Sequence, residues 1–137
     1  MKRRWQISVI LVLVAAAAVY PFETTVVPEW RIKVIDETGT PFAGARVVQQ
    51  WDNYSLGNGG GEEKLANENG EVVFPKRIAR GSLLYRTLRA SWAVLMKLTH
   101  GSTGIRATVW ATTPKVSSDS VEYQQGKPLP EVIVLRR

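Results

Sequence analysis

The residues able to do chemistry in this chain are few. There is one histidine, His100, followed by Gly101 and Ser102, and there is no cysteine. A histidine, a serine and an aspartate can build a nucleophile–base pair, but no G-x-S-x-G elbow presents a serine here. His100 stands where a helix is expected to end. A cation there complements the helix dipole, so capping or packing is its expected role. Without cysteine, thiolate nucleophiles, thiolate metal sites and disulfides are excluded. With no HExxH motif and no His/Cys cluster, zinc chemistry has no support. The run Gly57-Asn58-Gly59-Gly60-Gly61-Glu62-Glu63-Lys64 has the glycines of a phosphate loop without the G-x-x-x-x-G-K-[ST] spacing. Asp52, Asn58, Glu62 and Glu63 carry the oxygens calcium prefers, without the spacing of an EF-hand. The expectation is a chain that is not an enzyme and carries no cofactor and no metal.

The remaining candidates are cations. Arg77, Arg80, Arg86 and Arg89 lie close together in a locally basic stretch. They read either as a solvated helix face or as an interaction patch for anionic lipid or cell-wall polymer. The formal charge is +6, falling to +3 without Lys2, Arg3 and Arg4, which is an ordinary solubility charge. No aromatic residues interleave with the arginines in the manner that supports base stacking, so nucleic acid is not expected.

Several elements must hold these residues. Trp30 to Ile35 alternates, with Ile32 and Val34 on one face and Arg31 and Lys33 on the other, as a strand requires. Asp36, Glu37, Thr38 and Gly39 supply turn chemistry, and Pro41 disfavours helix at Thr40. Arg46 to Trp51 forms a second strand. Asp52 to Glu68 reads as a long polar loop. Asn69-Gly70 then turns into the short strand Glu71 to Phe74. From Ser82 to Leu98 the pattern changes: Leu84, Leu88, Trp92, Leu95 and Met96 recur near helical spacing. One amphipathic helix is expected, begun by Ser82 and packed on the core, with membrane or partner contact as its other use. After Gly104, Ile105 to Thr112 alternates again, Ser117 to Ser120 is loop or strand edge, and Val132 to Leu135 supplies a final core strand.

Val34, Asp36, Gly39, Pro41, Gly44, Ala45 and Val47, followed by Asn69, Gly70 and Phe74, resemble the carboxypeptidase regulatory-like (transthyretin-like, prealbumin-like) domain family. The resemblance covers residues 30 to 75. It implies a mainly β fold: an antiparallel β-sandwich of seven or eight strands, here with a helical insertion at 80–100. It also implies a module that binds or supports. Transthyretin-like sandwiches include 5-hydroxyisourate hydrolases, which need several His/Arg positions and a C-terminal Tyr-Arg-Gly-Ser. This chain has one histidine and ends Val134-Leu135-Arg136-Arg137, so that activity is disfavoured.

The N-terminus predicts export. Lys2, Arg3 and Arg4 precede an apolar run from Ile7 to Tyr20, and Ala15 to Ala18 suit signal-peptidase cleavage. Residues 1–20 are a cleaved signal peptide or a retained membrane anchor through residues 7–20; Trp5 and Tyr20 at its ends would suit an interface. Residues 21–29 read as a tether and 30–137 as the domain. The expected setting is periplasmic or otherwise extracytoplasmic. The expected partner is a protein or glycan of the cell envelope.

Overall fold

The computed structural model describes residues 2–53, 56–100 and 104–136. Helix α1 (Lys2–Val19) leads into β1 (Pro21–Val27), followed by β2 (Trp30–Asp36), β3 (Arg46–Asn53), β4 (Asn58–Leu65), β5 (Glu71–Phe74) and β6 (Arg77–Ser82). Helix α2 (Leu83–His100) precedes β7 (Ile105–Thr112), β8 (Val121–Gln124) and β9 (Val132–Leu135). The protein is mainly β, with several sheets and two helices.

Two of the sheets share one core. Their orders are β5-β2-β9 and β4-β3-β7-β8. Ile32, Val34, Phe74, Ile133 and Leu135 from the first join Val47, Ala107, Val109 and Ala111 from the second in a single buried cluster. The alternation expected of β2 and β7 is present, with Arg31 and Lys33 exposed opposite buried Ile32 and Val34. Trp30 is fully buried, donates its indole N–H to the Pro130 carbonyl at 2.6 Å, and meets the Tyr123 ring edge-on. Not all pairing is antiparallel, because β2 and β9 run parallel.

The turns follow the expected chemistry. Asp36 Oδ1 accepts from the Thr38 and Thr40 amides at 2.8 and 3.0 Å, fixing the bend after β2. Asn67 Oδ1 does the same for the Asn69 and Glu71 amides. Gly70 has φ +74° and its α-carbon faces the Val34 carbonyl, where a Cβ has no room.

Four expectations are corrected. The segment read as a tether is strand β1, and its Val26 and Val27 are buried, so the folded body begins before Trp30. A register shift between Thr25 and Val27 breaks the alternation that would have marked it as a strand. The long polar loop contains strand β4, paired with β3 from Arg46↔Leu65 to Asn53↔Asn58. Glycine is a poor strand former, but Trp51 lies opposite Gly60 and its indole fills the space a side chain would take. Residues 77–82, of which 77–80 are expected on a solvated helix face and 80–82 at the start of the helical insertion 80–100, are strand β6, which pairs with β1 as a separate two-stranded ribbon. The helix itself begins at Leu83, where Ser82 Oγ accepts from the Tyr85 amide at 3.2 Å, the expected cap. Its apolar face is not packed on the core: Leu84, Leu88, Trp92 and Leu95 are all more than half exposed.

Candidate functional site

The β1–β6 ribbon joins the sheets to both helices. Pro21 pairs with Ser82, so α1 enters and α2 leaves at the same end of the ribbon, and the two helices touch. The ribbon's inner side is small and apolar. Val26, Val27 and Ala79 are buried, and Gly81 leaves room for Leu56, Tyr85 and Arg86.

The four predicted arginines divide among different tasks. Arg77 turns inward from β6. It forms an ion pair with Glu62 of β4, and its Nε donates to Gln49 Oε1 at 3.3 Å. Its guanidinium also stacks over the Trp51 ring, 4.3 Å from the centroid. The side chain is 19% exposed, and this burial pushes its pKa down from the ordinary value. Arginine keeps its charge at neutral pH all the same, so the buried cation needs its partners. Gln49 is fully buried, and its Nε2 has no hydrogen-bond partner. Three strands, β3, β4 and β6, thus meet at one polar knot inside an apolar body.

Arg80 lies on the ribbon's outer side and contacts Glu23 at 2.6 Å in the open. Arg86, on the first turn of α2, reaches back to the ribbon. It donates to the Gly81 carbonyl at 2.8 Å, to Thr24 Oγ1 at 2.6 Å and to the Phe22 carbonyl at 2.6 Å. Arg89 donates to the Tyr85 hydroxyl at 3.2 Å, and that hydroxyl donates to the Leu56 carbonyl at 3.0 Å. Arg86 and Arg89 are therefore brought together at the base of α2, while Arg77 and Arg80 occupy opposite sides of β6. All four already have partners in the chain.

The exposed surface beside them is apolar. On α1, Trp5, Ile10, Leu11, Val12 and Leu13 are each more than half exposed; on α2, Leu88, Trp92, Val94 and Leu95 are too. Tyr20 and Phe22 stack edge-on at 5.1 Å where the helices meet the ribbon. Among the described residues, no helix is long and apolar enough to cross a membrane. The anchor expected through residues 7–20 therefore lacks support as a spanning segment. From Ile7 to Val19 the apolar part rises about 20 Å, against about 30 Å of bilayer hydrocarbon.

The acidic residues and the histidine of the chain are not expected to form a site. Glu62 faces inward to Arg77, whereas Glu63 faces outward to Arg46 at 3.1 Å, so the acidic residues of the glycine-rich stretch do not converge. The side chain of His100 and residues 101–103 lie outside the described residues. At the end of β3 away from the helices, a cleft of about 670 Å³ is lined by Phe42, Gly44 and residues 113–116, with Lys115 as its one ionisable group.

No protein-family model matches this chain, and no curated protein is significantly similar to it.

Proposed function

We propose that this chain is a non-catalytic β-sandwich module of the carboxypeptidase regulatory-like kind, exported and held at the surface of an envelope membrane by α1 and α2. The observation that carries this reading is the shared apolar surface of the two helices at one end of the ribbon. Soluble monomers rarely leave contiguous apolar patches larger than a few hundred Å² exposed. Helix α2, apolar along one face, suits the interfacial plane of a bilayer, while α1, apolar on all sides, can enter the hydrocarbon only part of the way. Lys2, Arg3 and Arg4 at the start of α1 add attraction to anionic headgroups. The expected β-sandwich is supported by two sheets across one core, and the family resemblance by the turns at Asp36 and at Asn69-Gly70, the second held by Asn67 Oδ1. On this reading the sandwich is the scaffold and its distal cleft faces away from the lipid.

Fractionation of the full chain made in a Gram-negative host tests the proposal. Full-length protein in the membrane fraction, resistant to high salt and released by detergent, is the expected result. Full-length protein in the soluble fraction would overturn it.

A second reading keeps the module and removes the attachment through α1. Cleavage after Ala18 would leave β1 and its buried Val26 and Val27 intact. Soluble periplasmic protein lighter by about 18 residues, with a small-residue cleavage site, would favour a free module that binds a protein or glycan.

A further inference from the structure

We infer that the cleft at the end of β3 is a groove for the carboxyl-terminal tail of another polypeptide, one with apolar residues next to its terminal carboxylate.

The cleft continues past its first hollow. Gly44, Thr113 and Pro114 also border a second hollow of about 410 Å³, completed by Arg46, Leu65 and Thr112. The two hollows therefore share a saddle, where a Cβ on Gly44 would project into open space. Phe42, Pro114 and Val116 make the first hollow apolar, and exposed Leu65 does the same for the second. Both are open to solvent. A small-molecule site encloses most of its ligand's surface. Two open hollows joined by a saddle fit an extended chain instead. Its backbone crosses Gly44, and alternate side chains, about 7 Å apart, enter the hollows.

The charge of the groove selects the end of such a chain. No carboxylate lines either hollow, and the two ionisable groups there are cations. Arg46 is paired with Glu63 at 3.1 Å, whereas Lys115 makes no ion pair among the described residues. One uncompensated cation beside an apolar hollow is complementary to one carboxylate on an apolar body. The last residue of a chain supplies both at once, its carboxylate and the side chain on the same Cα. An internal acidic residue does not, because it has no apolar group to bury.

The walls are already set. On one side the Phe42 amide donates to the Val34 carbonyl and the Gly44 amide to the Ala66 carbonyl, each at 2.9 Å. On the other, the Thr113 amide donates to the Val116 carbonyl at 2.8 Å, and Thr113 Oγ1 accepts from the Val116 amide at 3.1 Å. A preformed groove loses little further freedom on binding. It lies away from both helices, so the inference holds whether α1 is retained or removed.

The full chain in an uncharged detergent would be exposed to a pool of hexapeptides whose last four positions are randomised among alanine, valine, leucine and phenylalanine. Mass spectrometry of the retained peptides should show a selected subset. A selected peptide with a free carboxyl terminus should bind about fivefold tighter than its amide, the worth of one exposed ion pair. Lys115→Glu should remove that difference. Gly44→Asn sets a side chain on the saddle at φ +72°, which asparagine tolerates, and should abolish binding. Gly39→Asn, at φ +84° in the preceding turn, should not. The far-UV spectrum should be unchanged in all three variants. Retention of no peptide would overturn the inference, as would equal binding of acid and amide, or binding by folded Gly44→Asn as tight as by the unsubstituted chain. Displacement of the peptide by octanoate at the peptide's own affinity would also overturn it, by giving the groove to a free small acid.

Discussion

The paired sheets and the β1–β6 ribbon are both made of short strands, but they are held by different forces. In the sheets, large side chains interlock. Trp30, Phe74, Ile133 and Leu135 are fully buried, and Trp30 and Tyr123 meet across the core. In the ribbon the buried residues are smaller, Val26, Val27 and Ala79, and much of the fastening is done by arginines. Arg77 ties it to β3 and β4, and Arg86 ties it to α2. Apolar packing is tolerant of surroundings, whereas a buried cation is sensitive to the loss of one partner. The sheets thus form a packed scaffold, while the ribbon is a specific joint for the helices.

Four sets of substitutions test this difference, each read by urea denaturation of the full chain in a mild detergent. Phe74→Ala should have the largest effect, about 3–5 kcal/mol, by opening a cavity between the sheets. A loss below ~1 kcal/mol would mean that the sheets are not held mainly by packing.

Arg77→Met should cost about 2 kcal/mol, because part-buried Glu62 loses its inner cation and keeps only Lys64, 3.5 Å away on the solvent side. The double substitution Arg77→Met with Glu62→Met should recover much of that loss. A strictly additive double mutant would show that the two residues are not a coupled fastening.

Two glycines separate backbone strain from crowding. Gly70→Ala places a Cβ against the Val34 carbonyl at positive φ and should cost about 2–3 kcal/mol. Gly39→Ala, at φ +84° with open space around it, should cost only about 1 kcal/mol. Equal losses would mean that Gly70 is required for its dihedral angles alone.

Arg80→Ala should have the smallest effect, below about 0.5 kcal/mol, since its contact with Glu23 is solvent-exposed on both sides. A loss as large as that of Arg77→Met would erase the distinction between the ribbon's inner and outer faces.

Much of the sheet pair was legible in advance. Strands β2, β3, β5, β7 and β9 were read from alternation and from the turns at Asp36 and Asn69-Gly70, signals that act over a few residues. The candidate site was less legible. The arginines stood out as a cluster, but their division between the two sides of β6 depends on the pairing of β1 with β6, some 57 residues apart for Glu23 and Arg80. Strand β4 was missed because its glycines hide it. The signal that could have found it was Trp51, which stands as far before the 53–58 turn as Gly60 stands after it.

The sequence by itself determined the strands with clean alternation, the two acidic and amide turns, the Ser82 cap and the absence of any thiol chemistry. These follow from neighbours within a turn or two of chain. Only the tertiary structure decided that residues 21–27 form a strand, that Arg77 is drawn inward to Glu62, and that the apolar face of α2 stands in the open beside α1. Those outcomes depend on which distant segments share a ladder and a core. A side chain's local sequence does not say which face of the molecule its partner will occupy.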